Sequence, residues 1–241
     1  MTCDVLVVGA GAAGMAAALS ARQAGAEAVL LVDRDTRLGG VLPQCLHTGF
    51  GEVIFRQELT GAQYAARWAA RVEASCVALR LDTTVLSLHP ERRALLSSPE
   101  GVEEVAFRAL VLAAGCREIP IGALALPGSR PAGIFTAGQA QRMMNLDGLT
   151  LGRSAVILGS GDVGLVMTRQ LALSGCQVLA WWSSGRDAPP CPATSAGALR
   201  PATSPCSPAP RCAVSTGPGG SGASPSGSWT LGRSASCPAT P

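Results

Sequence analysis

The chain contains no lysine; all 19 of its basic residues are arginine. That excludes Schiff-base catalysis and any hydride transfer assisted by a lysine. It also lacks a charge excess. The net charge is only +3 and the arginines form no run, so the electrostatic footprint of a nucleic-acid partner is missing. No apolar stretch is long enough for a membrane span. The longest candidate, Val5 to Leu19, has about 15 residues against the ~20 a spanning helix needs. Asp4 precedes it where a signal peptide would carry positive charge. With no secretion signal, the nine cysteines read as thiols of a cytoplasmic protein and not as a disulfide framework.

What the chain does have begins at Val5-Leu6-Val7-Val8, an apolar run that breaks into Gly9-Ala10-Gly11-Ala12-Ala13-Gly14 and continues as Met15-Ala16-Ala17-Ala18-Leu19. The pattern predicts strand, tight turn, helix. In a dinucleotide site Gly9 permits the sharp turn, Gly11 lets backbone approach a pyrophosphate, and Gly14 lets helix and strand pack closely. The helix N-terminus, from Ala12 and Ala13, then offers unpaired N–H groups to phosphate. A second strand, Leu30-Leu31-Val32, ends in Asp33, 19 residues after Gly14, where such folds place an acid on a ribose hydroxyl. Arg34 beside it is either a flank to the adenosine moiety or a solvated side chain. The double glycine Gly39-Gly40 again allows close backbone approach.

The segment from Val41 to Gly51 has no clear periodicity, and irregular segments of this kind commonly carry function. It holds Cys45 and His47, the one tempting reactive pair. The alternative is that Cys45 packs as a small hydrophobe and His47 makes a local hydrogen bond. Leu59 to Ala74 reads as an amphipathic helix with Leu59, Tyr64, Trp68 and Val72 a turn apart, capped by Thr60 with Gln63 three residues on. Strands are expected at Cys76–Leu79 and Thr83–Leu88. A hairpin is expected with arms Ala94–Ser98 and Val102–Phe107, followed by a separate buried strand from Arg108 to Gly115.

The fingerprint repeats. Ser154–Leu158 is a strand, Gly159-Ser160-Gly161-Asp162-Val163-Gly164 the turn, Leu165–Ser174 a helix closed by Gly175, and Gln177–Ala180 the next strand. Two such motifs 150 residues apart are far more specific than either alone.

The order of fingerprint, acid, Gly-Gly, β-meander and Leu110-Val111-Leu112-Ala113-Ala114-Gly115-Cys116-Arg117 resembles the two-dinucleotide-binding-domain flavoproteins, the pyridine nucleotide-disulfide oxidoreductase superfamily. In that superfamily the strand ends in Ala-Thr-Gly with an arginine two residues on; here Ala114 replaces the threonine. Leu38–Cys45 with Leu59-Thr60-Gly61, and Gly133–Gln141, are similar to a bacterial subgroup without the redox disulfide, some of whose members are associated with glycerol phosphate or amino acid oxidation. The resemblance implies FAD at the first fingerprint and NAD or NADP at the second, with Val85 presenting backbone to the adenine and Gly115 following the flavin site. It places Cys45 in the segment running past the flavin. Relatives of the disulfide type have two cysteines there, so no dithiol relay is expected in this chain.

The resulting expectation is an α/β chain. A Rossmann-like FAD-binding domain with three-layer ββα character spans 1–150, and an incomplete second Rossmann-like NAD(P)-binding unit spans 151–182. From 183 to 241 the sequence holds 11 of the 17 prolines and a single acid, Asp187. Such composition cannot bury enough apolar surface to offset ordering entropy, so disorder is expected. The tail is either a natural low-complexity extension or an out-of-frame product of a shift near Trp181-Trp182. Counting 19 from Gly164 lands on Ser183, where an acid for the NAD ribose would stand. Cys206 and Cys212 lack a second ligand pair and a nearby histidine, so no metal is expected. The function expected is hydride exchange between NAD(P)H and bound flavin. The alternatives are a defective truncated or frameshifted product and a non-catalytic FAD-binding subunit of a larger dehydrogenase. Partners would be a small-molecule substrate or a redox subunit in a homo- or hetero-oligomer, with no nucleic acid and no membrane span.

Overall fold

The computed structural model describes residues 1–124, 128, 131–159 and 161–182. The expectations for Ser183, Cys206, Cys212 and the 183–241 tail lie outside the described residues. The elements run β1 (Thr2–Val8), α1 (Ala12–Gln23), β2 (Val29–Val32), a 3-10 turn (Leu42–Gln44), α2 (Glu52–Phe55), α3 (Gly61–Glu73), β3 (Ala78–Arg80), β4 (Thr84–His89), β5 (Arg93–Ser98), β6 (Gly101–Leu112), a second 3-10 turn (Ile121–Ala123), α4 (Ala137–Asn145), β7 (Ser154–Leu158), α5 (Asp162–Leu173) and β8 (Gln177–Trp182). They divide into two compact units, Met1–Glu118 with Gly138–Leu151, and Ile119–Ala137 with Gly152 onward.

The first unit is built on one six-stranded sheet in the order β3-β2-β1-β6-β5-β4. β1 lies between β2 and β6 and is parallel to both, with Leu6 opposite Leu30 on one side and Leu110 on the other. Alternate residues face two separate cores. Leu6, Leu30 and Val32 pack with Ala94, Leu96, Val105 and Phe107 under the β4-β5 meander. Val7, Val29 and Leu31 pack with Met15, Ala18, Val72 and Val77 under α1 and α3. Both faces are covered, which is why β1 and β2 read as unbroken apolar runs instead of alternating ones. The meander, the parallel strands and the helices make the three layers that the sequence implies.

One expectation is corrected. The hairpin arm at Val102–Phe107 and the strand beginning at Arg108 are a single strand, β6. No turn residue separates Phe107 from Arg108, so the chain runs straight on. The first half of β6 pairs antiparallel with β5 and the second half pairs parallel with β1. This long strand joins the meander to the parallel strands β1, β2 and β3. It ends at Leu112, and Ala113 leaves the sheet with its N–H still donating to the Val8 carbonyl at 2.8 Å.

α3 shows how local sequence sets an element. The Thr60 hydroxyl accepts from the Gln63 N–H while the Gln63 side chain accepts from the Thr60 N–H, closing a capping box. Ala65 and Val72 then turn inward, and Val72 is fully buried.

The second unit contains β7 and β8, paired in parallel, with α5 as the crossover. α5 starts at Asp162, three residues before the expected start at Leu165, because Gly161 serves as its N-cap. Val156, Leu158 and Leu179 are more than half exposed.

Candidate nucleotide sites

The first fingerprint is folded into the sheet ends on which it sits. Gly9 leaves β1 at φ +102°, a conformation open to glycine and strained for other residues. Its N–H donates to the Val32 carbonyl at 2.8 Å, and a Cβ there would strike the Ala113 carbonyl and crowd the Ala114 Cα. Gly14 faces back from α1, where a Cβ would collide with the Gly9 carbonyl oxygen. These two glycines let β1, β6 and α1 meet. Gly11 differs, with φ −71° and nothing within 4 Å of a Cβ built on it. It is the N-cap of α1 with no side-chain capping bond, and the first turn carries no acid. The N–H groups of that turn, around Ala12 and Ala13, therefore present the positive helix end beside open space. The charge of that end suits a diphosphate.

Ala10 is fully buried and its backbone is already engaged. Its N–H donates to the Asp33 Oδ2, and its carbonyl accepts from Gly39 N–H at 2.9 Å. Asp33 also accepts from Asp35 N–H at 2.9 Å through Oδ1. It thus ties the end of β2 to the glycine loop. A carboxylate offers about four acceptor positions, so capacity for a ribose hydroxyl remains after these two bonds.

The double glycine packs on the same loop. Gly40, at φ +57°, would bring a Cβ to 3.1 Å from the Gly11 Cα, and Gly39 is closed in by Ala65 and Pro43. Gly9, Ala10, Gly11, Gly14, Asp33, Gly40 and Ala114 are thereby brought together. Arg34 is exposed and holds no partner among the described residues. Val85 is half-buried and packs against the core beneath the meander, with its backbone in register with Leu96. Ala114 and Gly115 are exposed, Gly115 at φ +71°.

Cys45 and His47 turn to different partners. The Cys45 thiol donates toward the Val41 carbonyl and, at 4.0 Å, the Gln141 Oε1. Burial pushes its pKa up, which disfavours the nucleophilic thiolate. His47 Nδ1 lies 2.9 Å from the Thr48 carbonyl, and its ring sits against Phe50. No hydrogen bond joins the Cys45 thiol to the His47 ring. The five described cysteines, Cys3, Cys45, Cys76, Cys116 and Cys176, are all free.

Periodicity gave no sign of a polar seam that follows the double glycine. Gln44 and Gln141 are among the few buried polar side chains, and the Gln44 Nε2 donates to Gln141 Oε1 at 3.1 Å and to the Gly138 carbonyl at 3.4 Å. Asn145 Nδ2 donates to the Gln44 carbonyl at 2.6 Å. Glu118 holds the start of α4, accepting from Gly138 and Gln139 N–H at 2.8 and 3.0 Å. Gln44 lies where the sequence shows no period, and only the resemblance of Gly133–Gln141 pointed to α4.

In the second unit Gly159 turns at φ +125° and Gly161 caps α5 at φ −73° without a side-chain bond, both with open space around a built Cβ. Asp162 occupies the first turn of α5. The Gly164 carbonyl accepts from the Thr168 hydroxyl at 2.7 Å.

The family described as pyridine nucleotide-disulphide oxidoreductase matches residues 3–181. The chain belongs to that family. Both fingerprints fall inside the match. Among curated proteins it is 33% identical over 192 residues to the alpha subunit of sarcosine oxidase from Corynebacterium sp. (strain P-1), covering 71% of this chain and 18% of that one. It is 28% identical to an opine oxidase subunit from Rhizobium meliloti (strain 1021), covering 73% and 37%. The chain therefore spans well under half the length of these relatives. Among solved structures, the bacillithiol disulfide reductase of Bacillus cereus aligns with a TM-score of 0.62 at 18% identity over 79% of this chain and 61% of that one. The L-proline dehydrogenase of P. horikoshii aligns with a TM-score of 0.61 at 19% identity over 75% and 35%. Both share the Rossmann-like fold. Among the described residues no helix is long and apolar enough to cross a membrane.

Proposed function

We propose that this chain is the nucleotide-binding part of a cytoplasmic flavin-dependent oxidoreductase that works together with a partner redox subunit. FAD is held by residues 1–150 at Gly9, Gly11 and Gly14, and NAD(P) by 151–182 at Gly159, Gly161 and Gly164. The bound cofactors supply the chemistry, hydride exchange between the nicotinamide and the flavin. The chain's own residues bind and orient. The α1 N-terminus takes the diphosphate, Asp33 ties the loop to β2 and receives the ribose hydroxyl, and the protonated Cys45 thiol packs without entering a redox relay. The observation that carries this reading is the uncapped, acid-free start of α1 beside the open space at Gly11. A redox partner is supported by the relatives, whose names are those of subunits of sarcosine oxidase and opine oxidase. Their names also favour an amine-bearing carboxylate as the small-molecule substrate of the assembly.

The test is to purify the full chain, record its flavin absorbance, and mix it anaerobically with NADH or NADPH. Bleaching of the flavin is expected. A yellow protein that stays oxidised would identify a binding subunit whose chemistry resides on the partner. A colourless protein that takes up no FAD would refute the reading and favour a defective product.

A further inference from the structure

α2 is held to the fold by one side chain. Of Glu52–Phe55 only Phe55 is not exposed, while Val53 is 79% and Ile54 51% exposed. The loop that carries the helix is closed at its base, where Phe50 and Leu59 exchange backbone hydrogen bonds of 3.1 and 2.8 Å. Both residues flanking the helix, Gly51 at φ +87° and Arg56 at φ +53°, lie in the left-handed region. For arginine that conformation is strained. A segment with so little packing lifts easily, because a local opening costs only the contacts it breaks.

The ground that Phe55 covers carries more chemistry than a packing contact needs. Its ring stands near-perpendicular to Tyr64 at 5.5 Å and to Trp68 at 5.9 Å. The guanidinium groups of Arg71 and Arg67 lie over it at 4.5 and 5.3 Å, and Arg71 also lies over the Trp68 ring at 5.3 Å. Neither arginine pairs with a carboxylate among the described residues; Arg67 donates to the Gln57 amide oxygen. The phenyl ring gives these two cations only the negative face of its quadrupole. Trp68 Nε1 is the one buried side-chain polar atom without a hydrogen-bond partner among the described residues. A buried N–H with no acceptor carries a desolvation cost that an incoming acceptor removes.

We propose that Phe55 is a removable plug, and that its seat among Tyr64, Trp68, Arg67 and Arg71 binds a planar aromatic anion of the arene carboxylate class. The ligand ring takes the place of the phenyl ring, and its carboxylate meets the two guanidinium groups that have no anion of their own. The Trp68 N–H gains its acceptor from the same ligand. α2 swings out about Gly51 and Arg56 as the ligand enters. None of the residues assigned to FAD or NAD(P) belongs to the seat.

The test is equilibrium dialysis of 2-naphthoate, and of the neutral 2-naphthylmethanol, against the full chain. Wild type is expected to bind the carboxylate about tenfold more tightly than the alcohol. Phe55→Ala empties the seat and raises the affinity for 2-naphthoate about tenfold, because a plugged site binds only in proportion to the fraction of chains that are open. Trp68→Phe keeps a ring and removes the donor, and Arg71→Gln removes a cation; each lowers the affinity several-fold, with circular dichroism reporting that the variants fold. Equal affinity of wild type for the two probes overturns the proposal, and that comparison needs no variant to fold. A folded Phe55→Ala chain that binds 2-naphthoate no better than wild type overturns it as well. Saturating FAD is expected to leave 2-naphthoate binding unchanged; displacement by FAD would give the seat to the cofactor and overturn a separate site.

Discussion

The contrast between Gly14 and Gly11 separates what the fold requires from what the ligand requires. In Gly14→Ala the new methyl meets the Gly9 carbonyl oxygen, and Gly9 has nowhere to retreat because the Ala113 carbonyl closes its other side and its N–H is held by Val32. Overpacking a filled site costs typically 1–3 kcal/mol, and backbone on both sides puts this case at about 3. Alanine returns about 1 kcal/mol through helix propensity, leaving a net loss of about 2 kcal/mol. With a urea slope of about 2 kcal/mol/M the unfolding midpoint of the apo chain falls by about 1 M. In Gly11→Ala the φ of −71° suits alanine and the methyl enters open space. The smaller unfolded-state entropy and the weaker N-cap roughly offset, so stability stays within about 1 kcal/mol of wild type. FAD affinity nevertheless falls at least tenfold, because the methyl occupies the approach to the diphosphate. Urea unfolding by circular dichroism and FAD titration read the two effects. A Gly14→Ala chain as stable as wild type, or a Gly11→Ala chain that unfolds as early as Gly14→Ala, would refute the reasoning.

Asp33→Leu leaves the buried Ala10 N–H without an acceptor and is expected to cost about 1–3 kcal/mol by urea unfolding, whereas Asp33→Asn, which keeps one acceptor oxygen, loses less. Cys45 is expected to react more slowly with iodoacetamide at neutral pH than the exposed Cys76 and Cys116, as followed by peptide mass mapping, because burial raises its pKa and lowers its thiolate fraction. The Asp4 pKa is lowered, first by the hydrogen bond from Ala28 N–H and also by Glu27 N–H and Arg108. Its contribution to stability is therefore complete above the unfolded carboxyl value near 3.8 and is lost as pH falls through the lower folded value. A thermal-melting profile from pH 5 to 2 is expected to fall more steeply for wild type than for Asp4→Asn.

Local chemistry was legible wherever the residues that set an element lie close in sequence. The α1 turn, the Thr60–Gln63 capping box and the β7-α5-β8 crossover were each written within a few positions. The unity of β6 was not, because its two halves answer to different partners, β5 and β1, and no local residue records which strand lies alongside. The same limit hid the seam. Gln44 and Gln141 are 97 positions apart, and neither has a neighbour in sequence that marks it as buried. Asp33 was singled out by its spacing. Its bond to Ala10 N–H is a tertiary contact, and that bond gives the residue a structural task besides the expected one. Cys45 was legible only as a choice between reactive thiol and packed side chain, and its contacts come from Val41 nearby and Gln141 far away.

The two fingerprints are alike in sequence and unlike in what holds them. In the first, Gly9 and Gly14 are demanded by backbone that a methyl would strike, so those positions would favour glycine even if no nucleotide ever bound. Gly11 is under no such demand. In the second, Gly159 has a backbone reason, its φ of +125°, but neither it nor Gly161 meets any atom within 4 Å of a built Cβ. Gly161 sits at φ −73°, where any L-residue is comfortable, at the start of a helix that serine or aspartate would cap better. Nothing among the described residues asks for glycine there. Gly11 and Gly161, which neither packing nor backbone conformation reserves for glycine, are the middle glycines of their motifs, and under the proposed function that is where backbone would come close to a diphosphate. The proposed function gives the second loop the same ligand chemistry as the first, although the apolar residues Val156, Leu158 and Leu179 of its strands are exposed where Leu6, Val7 and Leu31 of β1 and β2 are buried.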